Sequence, residues 1–190
     1  MKKTILSCLL LAISIVSFAQ GDPARTAATD ELLIATTLPS GEVDTINIVD
    51  WLAGTVPDVT LLNQDGNPVT PADVAGKVVL LDFWHLRCAP CIAEMPGLEL
   101  LKKRVASPDF VVLTFALDPM ERIDATLFRN GRMNLTVIPV TGLVSYGVYP
   151  LKALFDQNGK MVDLINYGST APDAVQRLVD RYEPLVRALL

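Results

Sequence analysis

The sequence predicts an α/β domain in which helices flank both faces of a mixed central β-sheet, with an N-terminal β-hairpin extension before it. Two apolar runs, Val78–Phe83 and Phe110–Ala116, lack polar alternation, which is typical of strands covered on both faces. A helical segment follows each run, and an antiparallel hairpin comes later. Buried strands alternating with helices predict parallel strands, to which the hairpin adds antiparallel ones. The 190 residues suit one domain with an appendage.

Residues 1–19 predict an export signal. Lys2 and Lys3 precede an apolar stretch, and the small residues Ser17 and Ala19 suit a cleavage site. The apolar run of about 15 residues is shorter than the ~20 that a membrane-spanning helix needs. We therefore expect cleavage and a periplasmic or otherwise exported protein. The alternative is a membrane anchor formed by residues 5–19.

Residues 20–55 form a predicted N-terminal extension. Glu31–Leu38 and Val43–Trp51 predict two strands around a Pro-Ser-Gly turn. About 35 residues are too few to bury an independent core. We expect this extension to pack on the main domain or to be partly disordered.

The main domain, residues 56–190, begins with a predicted hairpin. Its strands, Val59–Leu62 and Asn67–Val69, flank a Gln-Asp-Gly turn. Pro71–Ala75 predicts one helical turn that ends at Gly76. The first buried strand follows directly.

Two helices are predicted around the second buried strand. Cys88–Arg104 tolerates Pro90, because a proline in the first turn removes an N–H group that has no helical partner. Pro96 is expected to kink this helix. Ile123–Arg129 predicts a shorter helix.

The end of the chain predicts a hairpin and a last helix. Lys152–Phe155 and Met161–Asn166 flank an Asp-Gln-Asn-Gly turn. An amphipathic helix then runs from Pro172 to Leu190.

Composition excludes several classes of function. The net charge of −5 becomes about −7 if the signal is removed, which argues against a nucleic-acid partner. Structural zinc needs four ligands, and one histidine with two cysteines outside the signal makes a metal site unexpected. A c-type haem would need histidine after the second cysteine, where Ile92 stands. We therefore expect no metal and no cofactor.

The two cysteines outside the signal, Cys88 and Cys91, form a single C-x-x-C. An exported chain with one such pair has no disulfide framework. Positions i and i+3 at a helix start share a face, so the two sulfurs can meet. Closing so short a loop adds little stability, which leaves the bond free to exchange. The alternative is a pair of unrelated buried thiols.

The first cysteine is the expected nucleophile. Cys88 would lie at a helix N-terminus, where the helix dipole favours a thiolate, and Arg87 adds a neighbouring cation. Cys91, one turn further, would then be the resolving thiol. It attacks the mixed disulfide on Cys88 and releases the substrate.

The segment VVLLDFWHLRCAPC, residues 78–91, resembles the strand and active-site turn of thioredoxin-fold proteins. The closest match is the exported thiol-disulfide oxidoreductases of the TlpA/ResA type. Further motifs match this family: Gly76-Lys77-Val78-Val79, Glu94-x-Pro96, Tyr149-Pro150 and Leu154-Phe155-Asp156. The chain departs from the family at His85, Leu86, Arg87 and Leu151.

The resemblance implies roles for further residues. Asp82 would accept the proton of the inner cysteine, and burial should raise its pKa; the alternative is a structural hydrogen bond. Glu94 would have a similar role, or lie on a solvated helix face. Pro150 would be a cis-proline, and the backbone of Tyr149 would pair with a substrate strand. Trp84 would cover the edge of the active site, or simply pack in the core.

The resemblance thus implies a thioredoxin-like enzyme that exchanges thiols and disulfides with protein substrates and receives electrons from an upstream membrane donor. It favours a reductase. A well-stabilised Cys88 thiolate would instead favour an oxidant or isomerase. The remaining alternative is a binding or scaffold module that keeps the fold without turnover.

Overall fold

The computed structural model describes residues 31–56, 59–128, 131, 133–143 and 145–190. The predicted signal, residues 1–19, lies outside the described residues. Across the part that is described, none of the helices is both long and apolar enough to cross a membrane.

Ten strands and five helices make up the described chain. The strands are β1 (Leu33–Thr37), β2 (Val43–Asn47), β3 (Leu61–Leu62), β4 (Pro68–Val69), β5 (Val78–Trp84), β6 (Phe110–Ala116), β7 (Thr136–Pro139), β8 (Gly142–Leu143), β9 (Leu151–Phe155) and β10 (Met161–Ile165). The helices are α1 (Ile48–Leu52), α2 (Pro71–Val74), α3 (Ala89–Val105), α4 (Met120–Ile123) and α5 (Ala174–Leu189).

The central sheet has five strands in the order β10-β9-β5-β6-β7. Strands β5, β6 and β7 are parallel, whereas β9 runs antiparallel to β5, and β10 antiparallel to β9. Every residue of β5 is buried, because both faces of this strand are covered. The predicted mixed sheet is confirmed.

Alternate residues of β5 point to opposite faces. Leu80 and Trp84 pack with the two cysteines against helices α3, α4 and α5. Leu81 and Phe83 pack on the other face, in a second apolar cluster that contains residues of α1, α2 and the N-terminal extension. Helices therefore flank both faces, as the sequence predicts.

The described part of the N-terminal extension, residues 31–55, belongs to the second face. Strands β1 and β2 form the predicted hairpin, and β8 joins β1 in a three-stranded sheet. Trp51 of α1 is fully buried, and its Nε1 donates a hydrogen bond to the Val59 carbonyl at 2.9 Å. Residues 31–55 pack on the main domain, which is one of the two expected outcomes for the extension, and residues 20–30 lie outside the described residues.

Some predicted elements differ from the structure. The second strand of the extension ends at Asn47. The Asn47 side chain accepts a hydrogen bond from Val49 N and so caps the N-terminus of α1. The predicted helix near Ile123 begins earlier, at Met120, and continues as a π-helical turn over Asp124–Phe128. Strands β7 and β8 were not predicted. Helix α3 includes Pro96 within its range, and the kink expected there stays a prediction.

Candidate active site

The cysteine pair lies where β5 passes into α3. Cys88 is the N-cap residue of α3, and Cys91 lies in the first helical turn. The two form a disulfide, with their Cα atoms 5.2 Å apart. Cys88 Sγ also accepts a hydrogen bond from Cys91 N at 3.2 Å. The exposed fraction is 6% for Cys88 and 1% for Cys91, so Cys88 is the more exposed of the two residues.

A carboxylate from the neighbouring strand fixes the loop before Cys88. Asp118, just after β6, accepts a hydrogen bond from Leu86 N at 2.6 Å. Arg122 pairs with the same carboxylate at 3.2 Å. Asp118 was not recognised in the sequence. The available signal was its place just beyond the carboxyl end of a strand parallel to β5.

Asp82 and Glu94 meet at a buried lysine. Lys152 Nζ lies 3.2 Å from Asp82 Oδ1 and 2.7 Å from Glu94 Oε2. All three side chains are buried. The second oxygen of Glu94, Oε1, accepts a hydrogen bond from Ser169 N at 2.8 Å. Glu94 therefore does not lie on a solvated helix face.

Burial and charge shift two pKa values in this cluster. Burial raises the pKa of Asp82, and the Glu94 charge raises it further, while Lys152 opposes both. Burial alone would lower the pKa of Lys152, but its two carboxylate partners outweigh that effect and raise it. Lys152 therefore stays a cation, while Asp82 binds a proton more readily than an ordinary aspartate.

The proline segment, Tyr149 and Pro150, has the cis peptide bond that the family resemblance implies. The Tyr149–Pro150 peptide bond is cis. The Tyr149 ring is half-buried and meets the His85 ring edge-on, with centroids 5.1 Å apart. Trp84 is fully buried in the cluster that holds both cysteines. A direct contact between Trp84 and substrate stays a prediction.

Gly168 brings Pro150 and Glu94 together. A Cβ atom at Gly168 would lie 2.5 Å from Pro150 Cγ and 3.0 Å from Glu94 Oε2. The proline ring and the carboxylate thus both lie close to a position that has no side chain. This links the proline segment to the buried charge cluster.

Gly168→Ala is expected to destabilise the protein by about 1–3 kcal/mol, since the added methyl group must displace the proline ring or the carboxylate. Gly147→Ala is the control, because a Cβ there would meet nothing within 4 Å. It should change stability by less than about 0.5 kcal/mol. Urea unfolding midpoints measure both effects. Equal midpoints for the two variants would show that Gly168 is not a close-packed position.

Sequence reasoning did not single out Lys152, Gly168 or Ser169. For Lys152 the signal was a lone charge within the otherwise apolar strand Leu151–Phe155. Such a charge also suits a strand with one solvated face, so the pattern alone did not indicate burial.

A family model described as the AhpC/TSA family matches residues 52–180. This is more than half of the chain. The chain belongs to the thioredoxin-like AhpC/TSA family. The AhpC/TSA segment contains Asp82, both cysteines, Glu94 and Lys152, whereas β1 and β2 precede it.

Individual relatives agree with this family. The chain is 32% identical over 145 residues to the thiol-disulfide oxidoreductase ResA of Geobacillus thermodenitrificans, covering 67% of this chain and 76% of ResA. It is 30% identical over 130 residues to the thioredoxin-like protein YneN of Bacillus subtilis, covering 65% and 76%. The predicted resemblance to the ResA type is confirmed.

A solved structure supports the thioredoxin-like fold of this chain. A thiol:disulfide interchange protein of the thioredoxin family from Chlorobium tepidum superposes with a TM-score of 0.56 at 19% identity. The match covers 70% of this chain and 93% of that protein. At this identity, the likeness establishes the fold.

Proposed function

We propose that this chain is a thiol-disulfide oxidoreductase that acts on protein substrates through Cys88 and Cys91. The observation that carries the proposal is the disulfide at the start of α3, in which Cys88 caps the helix. Helix N-termini favour thiolates, which are the reactive form of cysteine. The relationship to ResA, a protein named for this activity, supports the same reaction.

The reaction proceeds in two exchange steps. In the reduced protein, the Cys88 thiolate attacks a substrate disulfide, forms a mixed disulfide and releases the first substrate thiolate. Asp82 then accepts the proton of Cys91, and the Cys91 thiolate attacks Cys88 Sγ. The second substrate thiolate leaves, and the Cys88–Cys91 disulfide forms. Two electrons have passed to the substrate, and an external dithiol returns them.

We assign the direction as reduction of substrates. When all three groups of the buried cluster are ionised, Asp82, Glu94 and Lys152 together carry one negative charge. This buried negative charge disfavours the thiolates and so favours the disulfide, and we propose that it outweighs the helix N-terminus, which favours the Cys88 thiolate. Arg87 is exposed, so solvent screens its opposing effect on Cys88. A pair that prefers the disulfide gives up electrons readily.

Substrate would bind as an extended segment beside the disulfide. Pro150 packs near the site, and the backbone of Tyr149 offers an edge for strand pairing. The side chains of Val148 and Tyr149 at this edge are partly exposed. We place the reaction outside the cytoplasm on the basis of the export signal predicted in residues 1–19, with an upstream membrane electron donor as the reducing partner.

Catalysed reduction of insulin by dithiothreitol tests the proposal. We expect the wild-type chain to accelerate insulin precipitation and the Cys88→Ser/Cys91→Ser double variant to give the uncatalysed rate. A binding or scaffold module without turnover would leave the rate unchanged in both cases. That result would contradict the proposed function.

A further inference from the structure

We propose that His85 keeps Cys88 reactive in mildly acidic medium, because its imidazolium form lies beside the active-site turn and stabilises the Cys88 thiolate. The inference rests on the proposed exchange reaction and concerns its first step. In that step the Cys88 thiolate bonds to one sulfur of the substrate disulfide, and the other sulfur leaves as a thiolate. His85 is one of the positions at which the chain departs from the TlpA/ResA type, and it is the only histidine in the sequence.

A backbone turn holds His85 next to the nucleophile. The His85 carbonyl accepts a hydrogen bond from Cys88 N at 3.0 Å. Residues 85–88 therefore form a β-turn, in which the first and last Cα atoms lie within about 7 Å of each other. Asp118 anchors the middle of the turn through the hydrogen bond that it accepts from Leu86 N. The position of His85 relative to Cys88 is thus fixed by the fold.

The imidazole ring lies against the proline segment. It meets the Tyr149 ring at an angle of 85°, with centroids 5.1 Å apart, and aromatic pairs with this geometry attract each other. Tyr149 in turn packs against the apolar cluster that contains both cysteines. His85 is half-buried, so solvent screens its charge less than that of a fully exposed side chain. The ring therefore bridges the turn that ends at Cys88 and the segment proposed to bind substrate.

His85 differs from the other charged groups around the turn, because a histidine side chain changes its charge between about pH 5 and 8. Arg87, in the same turn, is a permanent cation. Asp118 is paired with Arg122 at 3.2 Å. Burial raises the pKa of Tyr149, which keeps the phenol neutral. Protonation of the imidazole therefore adds a positive charge to this surface as the pH falls.

A second set of charges lies behind the cysteines. Asp82, Glu94 and Lys152 are buried there, and burial raises the pKa of Asp82. Loss of the Asp82 proton therefore also changes the charge near the pair as pH rises. Substitutions at His85 leave this cluster in place, so the difference between variant and wild type isolates the imidazole.

The sign of the effect follows from these charges. An imidazolium near Cys88 favours the thiolate, whereas the neutral imidazole formed at higher pH does not. Two unit charges about 7 Å apart near a protein surface interact strongly enough to change the thiolate fraction about three- to tenfold. Since the thiolate is the attacking species, Cys88 keeps reacting at a pH where an ordinary thiol is almost entirely protonated.

Alkylation by iodoacetamide measures the Cys88 thiolate at each pH. The protein is the full chain carrying Cys91→Ser, and mass spectrometry of the peptide that contains Cys88 gives the rate. His85→Gln should slow alkylation about three- to tenfold at pH 6 and less than about twofold at pH 8.5. His85→Lys should restore the rate at pH 6, because it supplies a cation without the aromatic contact. Lys160→Gln, at an exposed position in the β9–β10 turn, is the matched control and should match the parent.

Nuclear magnetic resonance of the single histidine covers the case in which the His85 variants do not fold. Two groups that influence each other's charge do so reciprocally, so the Cys88 thiolate must favour the His85 cation. The pH midpoint of the imidazole resonance should therefore be about half a pH unit higher in the reduced protein than in the disulfide form. Cys88→Ser should give the midpoint of the disulfide form.

Equal midpoints in the reduced and disulfide forms overturn the role of His85. An alkylation rate at pH 6 that His85→Gln leaves unchanged overturns it as well. The proposed function fails separately, if the wild-type chain does not accelerate insulin reduction. The two failures are therefore distinguishable.

Discussion

Cys91→Ser should accumulate a mixed disulfide between Cys88 and its protein substrates and should lose turnover to the uncatalysed rate. The serine hydroxyl cannot attack the bond on Cys88, so the reaction stops after its first step. Cys88 is the more exposed of the two residues and lies at the helix N-terminus, where a thiolate is favoured. Non-reducing electrophoresis followed by mass spectrometry of the adducts measures the outcome.

Cys88→Ser is the matched control. It keeps one buried cysteine, but that cysteine is Cys91, which is 1% exposed. We expect neither adducts nor turnover. If Cys88→Ser traps substrate and Cys91→Ser does not, the roles of the two cysteines are reversed. If neither variant traps substrate, the two-step mechanism is wrong.

Asp82→Asn should slow release of the mixed disulfide by about a hundredfold at neutral pH, the order of magnitude of general base catalysis. An amide cannot accept the Cys91 proton. Formation of the mixed disulfide on Cys88 should be little affected. Reduced protein mixed with one equivalent of 5,5′-dithiobis(2-nitrobenzoate) releases one thionitrobenzoate as Cys88 forms the mixed disulfide and a second as Cys91 displaces it, so the two phases measure these steps. Asp65→Asn, in the exposed β3–β4 turn, is the control and should match the wild type.

The same substitution should change how stability depends on pH. Burial raises the pKa of Asp82 in the folded protein above its ordinary value of 3.8, so the folded state binds the proton more tightly than the unfolded chain. The free energy of unfolding therefore falls as pH rises from about 4 through the folded-state pKa. Asp82→Asn should remove this decline. Urea unfolding at several pH values checks the sign, and a wild-type stability that rises over this range because of Asp82 would contradict it.

The sequence predicted best those elements whose signals are local. The strand over Val78–Phe83 was recognisable because a strand covered on both faces is apolar throughout. The start of α3 was recognisable because Pro90 suits a first helical turn. By contrast, α1 begins with the β-branched residues Ile48 and Val49, a pattern that favours a strand. It becomes helical where Asn47 caps it, and the same Asn47 side chain accepts a hydrogen bond from Leu32 N, 15 residues away.

The candidate site also has one part that the sequence predicted and one part that it did not. The cysteine pair is contiguous in sequence, so its spacing and helical context were sufficient to predict it. The charge cluster joins residues 82, 94 and 152, and only the pairing of β5 with β9 brings Lys152 opposite Asp82. The close packing at Gly168 likewise arises only because the chain after β10 folds back onto Pro150 and Glu94. Single-sequence patterns carry no record of such contacts.

The reduction potential of the Cys88/Cys91 pair tests the proposed reductase most directly. Equilibration in dithiothreitol redox buffers, followed by thiol alkylation and mass measurement, gives the fraction reduced at each potential. We expect a value near −270 mV, about that of reducing thioredoxins, because on our proposal the buried carboxylates disfavour the thiolates by more than the helix N-terminus favours the one on Cys88. A value near −120 mV, about that of strong thiol oxidants, would contradict the account.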